Sequence, residues 1–375
     1  KVNALTDKLL KRSSPMFKVG VINLLRNKGR FIFSTVCVAA SVMLIFSSFS
    51  FITSKNYAIS QTFEERIHYD CQIFLEDAPT EKLLADIEKI DGVSKAEPIL
   101  IYNAKVSSDK HSKTIDINAV GPDNDMIRVG DGSGANLPLK DGGIILDQHM
   151  ADELETGEGE RIKINGIEFD VSSVMVQCAN HTQYITLNDA KNLGKPDLGC
   201  IICTFDGNPR KELLSHLTDT DGYLYCVFTE AFYNDNKELY ATYDFAALIL
   251  VAFAMVIGFI IVFNTSMTDL QDNKRELCVL RTLGFQFREI SRSRFFRALL
   301  QFVVAFVVGL IPGTAVAKYT LLQLSTPDET FLFVSGIFEL AVTALPVFAY
   351  ILFSHFASMH SMIKWNAAEV VKEKE

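Results

Sequence analysis

The chain has 375 residues, 49% of them apolar and 22% charged, with a formal net charge of −9 and a mean hydropathy of +0.18. That length suffices for two ordinary domains. A positive mean hydropathy in so charged a chain requires clustered apolar residues, which excludes an evenly mixed composition. The acid-rich residues 53–244 argue against nucleic acid or an anionic membrane face as their partner.

Residues 1–30 form a basic segment with Lys1, Lys8, Lys11, Arg12, Lys18, Arg26, Lys28 and Arg30. Four apolar runs then stand out: Phe31–Ile52, Phe245–Phe263, Ala298–Leu322 and Phe331–Phe356. The first two carry no charge and approach the ~20 residues that cross a bilayer as a helix. Pro312 and Pro346 predict kinks in the third and fourth. Glu339 is expected at the outer boundary of the fourth run, because Leu340–Phe356 alone is almost long enough to span. The first run is too long and too far from the start for a cleaved signal peptide. The chain starts at Lys1, so it is expected to be part of a longer protein.

Basic residues mark the cytoplasmic side. They crowd the segment before the first run and the 264–297 connection, which holds Lys274, Arg275, Arg281, Arg288, Arg292, Arg294 and Arg297; the "STPDET" connection has none. Residues 53–244 are therefore expected outside, and the tail 357–375 inside. In the outer segment acids outnumber bases about two to one, the look of a solvated domain.

The outer segment reads as α+β. "CQIFL" (Cys71–Leu75) is a strand. "PTEKLLADIEKI" (Pro79–Ile90) is a helix capped by Thr80 and ended by Asp91–Gly92. "PILIYNAKV" and "TIDINAV" alternate as strands. "GGIILD" begins a strand and "QHMADEL" a short helix. "ERIKINGIEFDVSSV" is a hairpin about Asn165–Gly166. "QYITLNDAKNL" is strand then helix, "GCIICTF" a strand and "NPRKELLSHL" a helix. "TSKNYAISQTFEERI" leaves the first run, and "TEAFYNDNKELYATYDF" enters the second, without Gly or Pro. Both are expected to be helical stalks able to carry movement.

Catalytic signatures are lacking: no P-loop, no nucleophile elbow and no H-E-x-x-H pair. "GDGSGAN" (Gly130–Asn136) reads as a loop. Five cysteines lie in the outer segment: Cys71, Cys178, Cys200, Cys203 and Cys226. In a strand, Cys200 and Cys203 point to opposite faces, which argues against a mutual disulfide or a shared metal. "CANH" offers Cys178 and His181 as zinc ligands, but no second pair has matching spacing. Buried thiols are the expected reading, with one disulfide among the five left open.

"NKRELCVLRTLGFQFREI" (Asn273–Ile290) lies between two membrane-grade runs. It is too polar for lipid and too short for a domain. Leu277, Leu280 and Leu283 or Gly284 fall along one helical stripe, with Arg281 and Arg288 on other faces. It reads either as an amphipathic turn on the membrane surface or as a short docking helix that Gly284 ends as a C-terminal cap.

The stretch "RELCVLRTLGFQFREI" resembles the cytoplasmic signature of FtsX-like ABC permeases, E-[IL]-x-x-L-[RK]-x-[LI]-G. Glu276, Leu277, Leu280, Arg281, Leu283 and Gly284 match it position by position. "VGVINLLRNKGRF" resembles the basic amphipathic helix before the family's first span. "IILDQHMADELETGEGERIKINGIEFDV" is similar to the hairpin region of the MacB-type periplasmic domain. "NAAEVVKEKE" looks like the family's closing tail, with Ala367 where proline is usual.

The resemblance implies four transmembrane helices (31–52, 245–263, 298–322 and 331–356), with a MacB-core-like α+β extracytoplasmic domain, 53–244, inserted between helices 1 and 2. An FtsX-like permease domain would occupy 245–375. It implies a coupling helix at 273–290, with Arg275, Glu276, Leu277, Leu280, Arg281, Leu283 and Gly284 meeting an ABC ATPase dimer. The chain would be a multi-pass protein of the bacterial plasma membrane, without catalytic groups or a cofactor of its own; Mg-ATP would be used by the partner. Membrane lipid and a second permease half, in the same longer chain or in a homodimer, would be further partners. The implied activity is mechanotransmission for export or extraction of peptides, lipoproteins or antimicrobial compounds. The alternative is a receptor or regulator that activates an extracytoplasmic partner, such as a cell-wall hydrolase, without transport.

Overall fold

The computed structural model describes residues 28–130, 139–178, 181–326, 330–363 and 365. The resemblances at 19–27 and 366–375, and nearly all of the Gly130–Asn136 loop, lie outside them. The chain forms two compact units. Among the described residues, one comprises those of Lys55–Thr242 with Leu322–Leu332; the other holds those up to Ser54, Tyr243–Leu321 and those from Phe333 on.

Among the described residues, four helices are long and apolar enough to cross a membrane. The first is α1 (Lys28–Ser60), which continues as a π-helical turn over Gln61–Arg66. Strand β1 (Cys71–Leu75), helix α2 (Glu81–Glu88), strands β2 (Val93–Ser107), β3 (Ser112–Val120) and β4 (Gly143–Asp147) and helix α3 (Gln148–Glu153) follow. Next come β5 (Arg161–Ile164), β6 (Ile167–Met175), β7 (Gln183–Thr186), α4 (Leu187–Leu193), β8 (Leu198–Phe205), α5 (Arg210–Thr218) and β9 (Tyr223–Phe228). The remaining helices are α6 (Thr229–Asp272), α7 (Lys274–Thr282), α8 (Phe287–Leu324) and α9 (Ile337–Ile363). Both segments expected as stalks are helical, as parts of α1 and its π-turn and of α6.

The outer unit has two lobes. Strands β9, β1, β8 and β2 lie side by side with antiparallel neighbours. With α2 and α5 as crossovers this is the split β-α-β topology of ferredoxin-like folds. The helices cover one face, where Ile87, Leu213 and Leu217 pack on Cys71, Ile73, Ile201 and Cys203. The other face carries Ile99, Cys200 and Ile202. Cys200 and Cys203 thus sit on opposite faces, as strand alternation requires.

The chain between β2 and β8 builds the second lobe. β2 is long enough to serve both lobes, pairing with β8 in its first half and with β3 and β5 further on. Pairings β3–β7, β7–β4, β4–β6 and β6–β5 complete a closed ring. One apolar core draws on every ring strand, including Tyr102, Ile117, Leu146, Ile164, Phe169 and Ile185. The hairpin β5–β6 turns at Asn165 (φ +49°) and Gly166 (φ +89°), the two positive values its tight turn needs.

In the membrane unit, Val38, Val42, Ile45, Val251, Ala305 and Ile351 join α1, α6, α8 and α9 in one core. Small residues permit the approach: a Cβ on Gly309 would lie 2.5 Å from the Ala39 carbonyl oxygen and 2.8 Å from Val42 Cβ. The helices run unbroken past Pro312 and Pro346.

Two helix starts differ from the apolar runs. α8 begins at Phe287, so the basic 288–297 stretch is helical rather than a connection. α9 begins at Ile337, and the apolar residues 331–336 are not helical. There Val334 uses its N–H and C=O on the Ser54 hydroxyl (2.9 and 3.1 Å). Glu339, in the first turn of α9, accepts from Gly336 N–H (2.5 Å) and Thr53 Oγ1 (2.7 Å), an acid at a helix N-terminus.

Candidate functional site

The 273–290 stretch is not one helix. α7 ends at Thr282, and Gly284 adopts φ +94°. Its N–H donates to Arg281 O (3.1 Å), and Phe285 N–H to Leu280 O (3.1 Å). These are the two bonds of a Schellman cap with glycine at the left-handed position. After this turn Glu289 accepts from Gln286 N–H (3.0 Å) and caps the start of α8. Ile290, the last residue of the stretch, is already in that helix.

The predicted leucine stripe divides. Leu277 and Cys278 are buried. Leu277 packs with Leu270, Ile290, Met359 and Met362, and Leu280 lies against the same cluster. Leu283 is 70% exposed, and Val279 and Phe285 are also exposed. Arg275, Thr282 and Gly284 share that exposure. Arg281 donates to Trp365 O (3.5 Å), and Lys274 Nζ lies 5.6 Å from the centre of the Trp365 ring. Glu276 stands in the first turn of α7, where an acid suits the helix dipole. Leu277 and Leu280 therefore seat the helix, while Arg275, Val279, Leu283 and Phe285 present a free apolar and basic edge.

The base of α7 is fixed from the preceding helix. Asn273 Nδ2 donates to Asp269 O (2.7 Å), and Asp269 Oδ2 accepts from both Arg294 (3.0 Å) and Arg297 (2.8 Å). In the sequence these arginines read only as markers of orientation. The pattern that could have drawn attention to them is an acid in the last turns of one apolar helix facing two bases at the start of the next.

In the outer unit a second polar network joins distant segments. His181 Nδ1 lies 2.8 Å from Asp147 Oδ2, and its Nε2 lies 2.9 Å from Thr330 Oγ1. Asp147 is almost wholly buried, caps α3 through His149 N–H (3.0 Å) and accepts from Gln177 N–H (3.1 Å). Thr330 N–H donates to Cys178 O (2.8 Å). Cys178 and His181, offered above as metal ligands, thus both bond to Thr330. No cluster of three or more His, Cys, Asp or Glu suited to a metal occurs among the described residues.

Burial pushes the Cys178 thiol up to about 11 and the Cys200 thiol up to about 12. Cys71 and Cys226 share a thiol hydrogen bond of 2.8 Å. That bond holds Cys226 below the usual thiol range, helped by the nearby Arg210 charge; Cys71 is raised by the same bond and by burial. A cleft of about 450 Å³ opens beside β1, β2 and β3, with Phe74, Ile99 and Ile101 among its apolar lining and Arg66, Lys113 and Asp116 among its charged lining.

Residues 31–195 match the family model of the MacB-like periplasmic core domain, and residues 248–364 that of the FtsX-like permease C-terminal domain. No curated protein matches the chain. Among solved structures, the periplasmic region of MacB from Actinobacillus actinomycetemcomitans is 11% identical, with a TM-score of 0.33, covering 48% of this chain and 97% of that one. The extracellular domain of the noncanonic ABC-type transporter YknZ from Gram-positive bacteria is 15% identical, with a TM-score of 0.29, covering 40% and 97%.

The class is a multi-pass membrane protein with an extracytoplasmic α+β domain between its first and second spanning helices. Carrying a MacB-like core and an FtsX-like permease domain in that order, the chain belongs to the FtsX/MacB-type ABC transporter permeases. Because the domain between α1 and α6 is extracytoplasmic, α6 ends, and α8 begins, on the cytoplasmic side.

Proposed function

We propose that this chain is the membrane subunit of a mechanotransmission ABC transporter in a bacterial plasma membrane. A separate ATPase dimer, using Mg-ATP, grips α7 and the turn after it, and a second permease half completes the assembly. The reading rests on one observation above all: a short, capped helix packed on one face and exposing Val279, Leu283 and Phe285 on another. Apolar side chains of that size, rimmed by Arg275, suit a protein groove better than water. Nucleotide-driven closure of the ATPase would draw the α7 segments of the two halves together. The helical stalks then pass that movement to the outer domain, which handles peptides, lipoproteins or antimicrobial compounds.

Co-purification tests the docking face. The exchanges Val279→Asp and Leu283→Asp alter exposed positions and leave the packed Leu277 untouched. We expect them to cut recovery of the cognate ATPase at least tenfold, the loss of about 1.4 kcal/mol or more of binding. Equal recovery from wild type and variants would remove α7 as the docking site. An intact ATPase complex with idle cargo handling after a flexible Gly-Ser insertion behind Ile67 would support the stalks as transmitters.

A further inference from the structure

The Asp269–Arg294–Arg297 group lines a cavity of about 50 Å³ bounded by α6, α8 and α9, with room for several waters or one phosphate group. The side chains of Arg294 and Arg297 are only 16% and 17% exposed, and that of Asp269 is 6% exposed. Both guanidinium groups converge on the same carboxylate oxygen. One carboxylate against two arginines leaves a net charge of +1 at a mostly enclosed site. A guanidinium fork has more donors than one shared oxygen can occupy, and neither arginine has a second hydrogen-bond acceptor among the described residues. Ser266, Gln301, His355 and Ser358 add polar groups to the wall.

We infer that this cavity binds the phosphate of an anionic phospholipid from the cytoplasmic leaflet. Arginine forks match phosphate oxygens in geometry and charge, and a basic pocket between spanning helices at the cytoplasmic side suits an anionic headgroup. The cavity is graded along the helices. Val262 and Ile351 line it on the side away from the cytoplasm, beyond Asp269 and Ser358. Further along α8, Leu300, Val303 and Val307 are exposed, giving acyl chains an apolar path that a free phosphate ion does not need. Asp269 tempers the site by offsetting one of the two positive charges. Through Asn273 it also ties the lipid to the base of α7, so headgroup charge bears on the segment that meets the ATPase.

The test uses the full chain, loaded with mixed dioleoyl-phosphatidylglycerol and dioleoyl-phosphatidylcholine vesicles, with retained lipid read by native mass spectrometry. About 1 kcal/mol per unit of charge corresponds to roughly fivefold. Wild type is expected to retain one phosphatidylglycerol about fivefold over phosphatidylcholine, and R294Q/R297Q to abolish that preference. D269N raises the site charge by one and is expected to strengthen the preference about fivefold further. If the arginines merely clamp α6 to α8, D269N leaves the preference unchanged or lowers it, and that result overturns the inference even should R294Q/R297Q fail to fold. Displacement of the lipid by excess inorganic phosphate would overturn the lipid assignment in favour of a soluble anion. ATPase recovery through Val279 and Leu283 is a separate readout, so either reading can fail alone.

Discussion

The two units solve the same problem, hiding backbone polar groups, with different chemistry. In the outer unit strand alternation buries Ile, Val and Phe in several cores, and ring closure pairs strand edges that would otherwise lie open. In the membrane unit each helix satisfies its own backbone, and large apolar side chains such as Phe253, Val307 and Ile311 remain exposed. Cohesion there falls to close approach, as at Gly309 over Ala39, and to polar contacts, as between Gln301 and Ser34 (2.6 Å). Burying apolar area stabilises the first, because water is the alternative. In the second, lipid is as apolar as leucine, and shape takes over.

Truncation and enlargement should therefore hurt different units. Phe169→Ala in the ring core is expected to cost about 3–5 kcal/mol, read as faster hydrogen exchange across β2 to β7 with the membrane helices unchanged. Gly309→Val is expected to cost about 1–3 kcal/mol by overpacking, read as lower thermal stability in detergent with exchange in the outer strands unaltered. A comparable loss from Gly309→Val in the outer strands would break the contrast. Gly284→Ala adds no clash but forces a side chain into the left-handed region; about 1–2 kcal/mol of local stability at the end of α7 should be lost, seen as fraying of Val279–Thr282. The smallest effect is chemical. At pH 8 Cys226 should alkylate ahead of Cys178 and Cys200, because only its thiol is held low. Mass spectrometry showing Cys178 modified first would contradict that ordering.

Much of this was legible in the sequence wherever one short window carries the whole signal. The uncharged runs, the Thr80 cap, the Asn165–Gly166 hairpin and the Gly284 turn are all local. Strand β9 was missed, although "YLYCVF" after Asp221–Gly222 is rich in the aromatic and branched residues of strands. Pairing was beyond reach: β2 shared between lobes and β1 flanked by β8 and β9 depend on partners far along the chain. The same distance hid two clusters. His181 was weighed beside its neighbour Cys178, while its partners Asp147 and Thr330 lie 34 and 149 positions away. Leu277 looked like part of a docking stripe because its burial depends on Ile290, Met359 and Met362.

Strands β1 and β9 are ladder neighbours, with Cys71 opposite Phe228. The polypeptide thus enters and leaves the head of the outer unit through one doorway. Everything between those two residues is a cassette whose ends already touch. A head exchanged at that doorway would leave the lengths of both adjoining helices unchanged, so the outer domain is free to vary in size while its two points of attachment stay fixed side by side.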